Sequence, residues 1–145
     1  MKNVQILSVT ALSLLLVGCG GTAKMSTQTP EVSVQETLQQ GGVADFSDAT
    51  FTELQTSGQR FAVFLGASWC PGCVRLSQQI REQESVLPEG TAVLIGDYDV
   101  EKEFGGEYGV YAKHTAVYFD ENGDHTGTQA GVLFADIMNH LRGES

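Results

Sequence analysis

The chain is short of cysteine and of positive charge, and each shortage excludes something. Its three cysteines are Cys19, Cys70 and Cys73, so there is no second Cys-x-x-Cys pair and no four-cysteine zinc site. Only His114, His125 and His140 are left to complete a metal shell. Eight Lys and Arg face 18 Asp and Glu, a formal net charge of −10. Phosphate contacts need a cationic cluster that is missing here, which argues against nucleic acid as a partner. No internal repeat is visible. A carboxylate-pair hydrolase has no support beyond the presence of acids. What remains is an acidic chain of 145 residues, room for one domain, with 17 glycines that suggest several turns.

The first 18 residues differ from the rest. Met1-Lys2 is followed by a mostly apolar run from Ile6 to Val17, too short to span a bilayer, which takes about 20 apolar residues. A charged start, a short apolar region and a small residue before the cut are the layout of a secretory signal. Leu16-Val17-Gly18-Cys19 resembles the bacterial lipobox. That resemblance implies cleavage before Cys19, a diacylglycerol on its sulfur, and a mature chain anchored outside the cytoplasm in the bacterial cell envelope. Residues 19–43 are rich in Gly, Ser, Thr and Gln and poor in large apolar groups, and read as a flexible tether. By the random-coil estimate it reaches roughly 25–30 Å.

From residue 44 onward the pattern is globular. Ser47 or Asp48 can cap a short helix with Phe51 and Leu54 on its apolar face and Gly58 as its stop. "RFAVFLGA" is an unbroken apolar run of strand length, as in a central strand covered on both faces. "CVRLSQQIREQESVL" predicts a helix running to Pro88, and "TAVLIGDYD" a second buried strand. "VEKEFGGEYGV" predicts a short helix that breaks at its glycines. "TAVYFD", "ENG" and "DHTGTQAG" make a hairpin, and "VLFADIMNHLR" a closing amphipathic helix. The sum is an α/β domain over residues 44–145. "DENGD" has its glycine misplaced for a calcium loop and reads as the hairpin turn. "DYDVEKE" reads as a solvated acidic stretch, and His125 and His140 as surface residues.

Cys70 and Cys73 stand where the first apolar strand gives way to a helix. A structural disulfide over so short a loop would constrain the unfolded chain little, since the stabilisation grows with loop length. Pro71 suits the first helical position, because its missing N–H would be unpaired there anyway. A thiolate at a helix N-terminus meets free N–H groups and the positive end of the helix dipole. Its pKa falls, and Cys73, one turn on, can attack a mixed disulfide formed on Cys70. Redox exchange is therefore the expected chemistry.

Trp69-Cys70-Pro71-Gly72-Cys73 after an apolar strand, "EYGVYAKHTAVYFDENGD" further on, and a late "AG" before an amphipathic helix resemble the thioredoxin family, from about Phe46 to Arg142. The resemblance implies a thioredoxin fold, a central mixed β-sheet flanked by helices, and a redox disulfide between Cys70 and Cys73. It implies Cys70 as nucleophile, Cys73 as resolving thiol, and Trp69 shielding the thiolate. Pro71, Gly72, His114 and Thr115 would line or tune the substrate groove. No cofactor is implied. The implied partners are exported proteins with disulfides, such as apocytochrome c, or a redox partner domain. The chain is expected to act as a monomer, leaning towards reduction and fed by a membrane electron donor.

Three departures stand out. Thioredoxins carry Ile-Pro-Thr, with a cis proline facing the cysteines, where this chain has Lys113-His114-Thr115. A cis bond before a non-proline costs about 2.5–4 kcal/mol, so Lys113–His114 is expected trans. The buried aspartate of thioredoxins is replaced by Phe64, which removes the usual proton acceptor for Cys73 and leaves Glu84 or Asp97 as candidates. Pro-Gly replaces the Gly-Pro of thioredoxin between the cysteines. The histidine also opens an alternative, a Cu(I)- or Zn(II)-binding metallochaperone using Cys70, Cys73 and His114.

Overall fold

The computed structural model describes residues 42–144. The stretch read as a signal (residues 1–18), the expected lipidation residue Cys19 and nearly all of the stretch read as a tether lie outside the described residues. The described chain opens with strand β1 (Gly42–Asp45) and helix α1 (Asp48–Gln55), followed by β2 (Arg60–Gly66), α2 (Pro71–Glu82), β3 (Thr91–Asp97) and α3 (Lys102–Glu107). The hairpin β4 (Thr115–Phe119) and β5 (His125–Ala130) and the helix α4 (Phe134–Leu141) complete it. The five strands form one mixed sheet in the order β1-β3-β2-β4-β5. β3 runs parallel to both β1 and β2, and β4 antiparallel to β2 and β5.

β2 is central, and it reads as an unbroken apolar run because both of its faces are covered. Phe61, Val63 and Leu65 join Leu54, Leu94, Phe104 and Phe119 on one side of the sheet. Ala62 and Phe64 join Leu76, Ile80, Ile137 and Leu141 on the other. Burying each large side chain contributes about 1.5–3 kcal/mol. On the first side, Phe61 stacks on Phe119 with centroids 4.6 Å apart, and Phe51 of α1 packs edge-on to both. Ser47 caps α1, its hydroxyl accepting from the Thr50 N–H at 3.2 Å.

Four expectations need correction. β1 begins at Gly42, inside the stretch read as tether, and its parallel pairing with β3 orders it despite its polar surroundings. α2 stops at Glu82 and a 3₁₀ turn (Glu84–Val86) follows, with Leu87 in the extended backbone that precedes a proline. α3 runs through Gly105 and Gly106 and breaks only at Gly109, whose φ is +72°. Buried Phe104 holds that helix by packing on Phe46, Phe51 and Tyr108, which overrides the weak propensity of glycine. Finally, His140 is 3% exposed, stacked on Tyr118 at 4.4 Å with its Nε2 bonded to the Phe119 carbonyl.

Candidate active site

Cys70 ends the loop after β2 and serves as the N-cap of α2, with Pro71 in the first turn. Its Sγ accepts the Cys73 N–H at 3.4 Å, a bond that a capping oxygen would ordinarily make. Cys70 is half-buried and Cys73 is 1% exposed, and the structure holds both as free thiols. Their surroundings push them apart. The Cys73 thiol and backbone N–H, the Gly72 N–H and the Lys113 charge together hold the Cys70 thiol below its ordinary 9.0. Burial, then the hydrogen bond to Cys70, pushes the Cys73 thiol above it. An accessible sulfur that ionises early thus lies over a buried one that ionises late.

The same architecture recurs in solved structures. Trxlp from Edwardsiella tarda EIB202 matches with 25% identity over 68% of this chain and 97% of that one, at a TM-score of 0.58. Spinach chloroplast thioredoxin f matches at 15% identity over 73% and 96% of the two chains, TM-score 0.62. Schistosoma mansoni thioredoxin matches at 17% identity over 73% and 96%, TM-score 0.59. The chain has the thioredoxin fold. Its fold and its adjacent cysteines support a thiol–disulfide oxidoreductase in general. No protein-family model and no curated protein matches the sequence.

Against that thioredoxin frame, position 114 is where this chain departs most. The Lys113–His114 bond is trans, since there is no cis peptide bond among the described residues. His114 has φ of 62°, the left-handed region, which costs a side-chain-bearing residue about 1–2 kcal/mol. The conformation is held by backbone bonds: the His114 N–H donates to Leu65 O at 2.9 Å, and its carbonyl accepts from Gly131 N at 2.8 Å. So held, the imidazole lies over Gly72, where a Cβ would sit 3.6 Å from its Cε1. Nδ1 meets Cys73 Sγ at 3.4 Å. Phe64, buried where thioredoxins keep an aspartate, packs edge-on to the imidazole at 5.6 Å between centroids.

The structure brings Cys70, Cys73, Gly72 and His114 together, and it places the other candidates differently. Trp69 is a surface residue. It is 61% exposed, its Nε1 donating to Asp99 Oδ2 at 2.7 Å with Lys113 Nζ 4.6 Å from the ring. Thr115 is buried and its hydroxyl donates to Ala112 O at 2.7 Å, so it turns the loop below His114 instead of facing the groove. Pro71 is exposed beside Cys70. Glu84 accepts the Val43 N–H, and Asp97, although it lines a cavity with Cys73, accepts the Asp99 N–H. Neither carboxylate hydrogen-bonds Cys73, whereas the His114 imidazole does. A groove of about 280 Å³ runs beside the dithiol, lined by Gly72, Arg75, His114, Val132, Leu133 and Phe134. The sequence did not point to Leu133 and Phe134 because they sit on a helix start that only the fold brings near.

Proposed function

We propose that the chain is a membrane-anchored thiol–disulfide oxidoreductase of the bacterial cell envelope, acting on disulfides of exported proteins or of a membrane redox partner. The observation that carries the chemistry is Cys70 as the cap of α2, its sulfur accessible and hydrogen-bonded, with Cys73 beneath it. Cys70 thiolate attacks one sulfur of a substrate disulfide; the other leaves as a thiolate and takes a proton. Cys73 then gives its proton to His114 Nδ1 and attacks Cys70 Sγ, releasing the second substrate thiolate. Two electrons have moved to the substrate, and Cys70–Cys73 is now a disulfide, to be reduced by a membrane dithiol donor. In this reading His114 does for Cys73 what an aspartate does in thioredoxins. The groove beside Gly72 and His114 suits an extended peptide flanking the target disulfide.

The location rests on Leu16-Val17-Gly18-Cys19 alone, and supports an acyl anchor at Cys19. A trapping experiment tests the chemistry. Cys73→Ser cannot resolve, so envelope partners should remain joined to Cys70 and be released by a reductant. An empty trap with intact Cys70 overturns the proposal. Equilibration with glutathione then fixes direction, since 30 mV is about 1.4 kcal/mol for a two-electron couple.

A further inference from the structure

We propose that the reduced thiols of Cys70 and Cys73, together with His114, form a three-coordinate site for a single Cu(I) ion. The three donor atoms lie within 4.8 Å of one another, and Nδ1 and Cys73 Sγ are 3.4 Å apart. An ion with bonds of about 2.0–2.3 Å to nitrogen and sulfur sits among donors roughly 3.5–4 Å apart, so small side-chain rotations suffice. The donor set is two sulfurs and an imidazole with no oxygen, which suits a soft ion and disfavours calcium or magnesium. Three protein donors satisfy Cu(I), while Zn(II) would still need a fourth ligand to complete its tetrahedron.

A second observation is independent of the donor list. His114 holds a left-handed backbone that few side chains adopt, and strain of that kind persists where the surroundings enforce it. Here the enforcing bonds to Leu65 and Gly131 aim the imidazole across Gly72 towards the sulfurs. Gly72 has no side chain to stand in the way, and Phe64 walls the imidazole from one side. The site exists only in the reduced chain, because a Cys70–Cys73 disulfide leaves the imidazole as the sole donor. Metal occupancy and disulfide exchange therefore exclude each other. This goes beyond the oxidoreductase reading and shares with it only the dithiol.

The test is a competition titration of the full, reduced chain with Cu(I) against a chromophoric Cu(I) chelator. One Cu(I) per chain is expected, with none bound by the disulfide form. His114→Asn keeps a residue that tolerates the left-handed backbone but removes the imidazole. It should weaken binding by more than about 100-fold, beyond the 10–100-fold typical of losing an outer-shell partner. His125→Ala, at an exposed histidine, should leave the affinity unchanged. Unchanged affinity in His114→Asn overturns the three-donor site, and displacement of Cu(I) by equimolar Zn(II) overturns the choice of ion. Disulfide reduction by the metal-free chain is read separately. Turnover with a failed titration sinks only the metal site, and tight Cu(I) binding without turnover sinks only the oxidoreductase.

Discussion

At positions 64 and 114 the proposed chemistry moves the proton acceptor of the resolving thiol from a carboxylate to an imidazole. Thioredoxins keep a carboxylate under the resolving thiol and a proline beside it; here a phenylalanine fills the first place and an imidazole comes from the second. Replacing His114 by Asn should therefore slow resolution by up to about 10²-fold, the lower range for loss of a general base, and leave attack by Cys70 nearly intact. Rapid-quench kinetics check this, with the mixed disulfide accumulating; loss of both steps together would mean a merely structural role. For Cys70 itself the alkylation rate should inflect below pH 9.0, since its hydrogen bonds favour the thiolate. An inflection at 9.0 or above contradicts the capping role. The cysteine pair was readable in the sequence because its chemistry depends on neighbours two and three residues away. His140 was not, because its burial depends on Tyr118 and on a carbonyl 21 residues away. That burial has a consequence. Desolvation depresses the His140 pKa below 6.5, so the unfolded chain binds the proton more readily than the folded one. Stability is full above pH 6.5 and declines as pH falls through that value towards the folded pKa. Asp120 contributes a separate loss below pH 3.8, where the N–H groups of Asp124 and Asn122 no longer meet a carboxylate. Urea unfolding between pH 7.5 and 5 should show the first decline in the wild type, and a flatter profile in His140→Phe.

Among the elements, the two apolar strands and the hairpin were readable because their patterns are strong and local, whereas β1 and α3 took their form from contacts. "GVAD" has neither length nor alternation, and only its pairing with β3 makes it a strand. In α3 the diglycine predicts a break, yet the cluster around Phe104 carries the helix through it. The glycines of this segment therefore differ in role, which mutation can separate. Gly106 is exposed, and a Cβ added there would meet nothing within 4 Å, so Gly106→Ala should stabilise the domain by about 0.4–1 kcal/mol through the unfolded state. Gly109 sits at φ of +72°, and Gly109→Ala should destabilise by about 1–2 kcal/mol. Denaturant midpoints measure both. Equal effects of the same sign would mean that α3 does not form as described.

For the whole molecule, the proposed anchoring raises the question of what would keep an acidic domain at a membrane. A net charge of −10 gives no attraction to anionic lipid headgroups, which favour clusters of Lys and Arg. Among the described residues no helix is long and apolar enough to cross a bilayer. On the proposed envelope location, attachment comes from the N-terminal segment, and the chemistry of that segment decides how firm it is. One acyl chain gives only marginal binding, with an association constant of about 10⁴ M⁻¹, whereas two or three give a stable anchor. The lipobox reading requires the stable case, with a diacylglycerol on the sulfur of Cys19. The full chain should therefore partition into a detergent phase, and high salt should not release it from envelope membranes. Mass spectrometry of its N-terminal peptide should find cleavage before Cys19 and a diacylglycerol adduct on that residue. A chain begun at Gly20 should remain in the aqueous phase while still reducing disulfides, because the dithiol and the five strands lie beyond residue 41. An unmodified Cys19 in the mature envelope protein would remove the anchor without touching the chemistry of Cys70, and would leave a secreted oxidoreductase in its place.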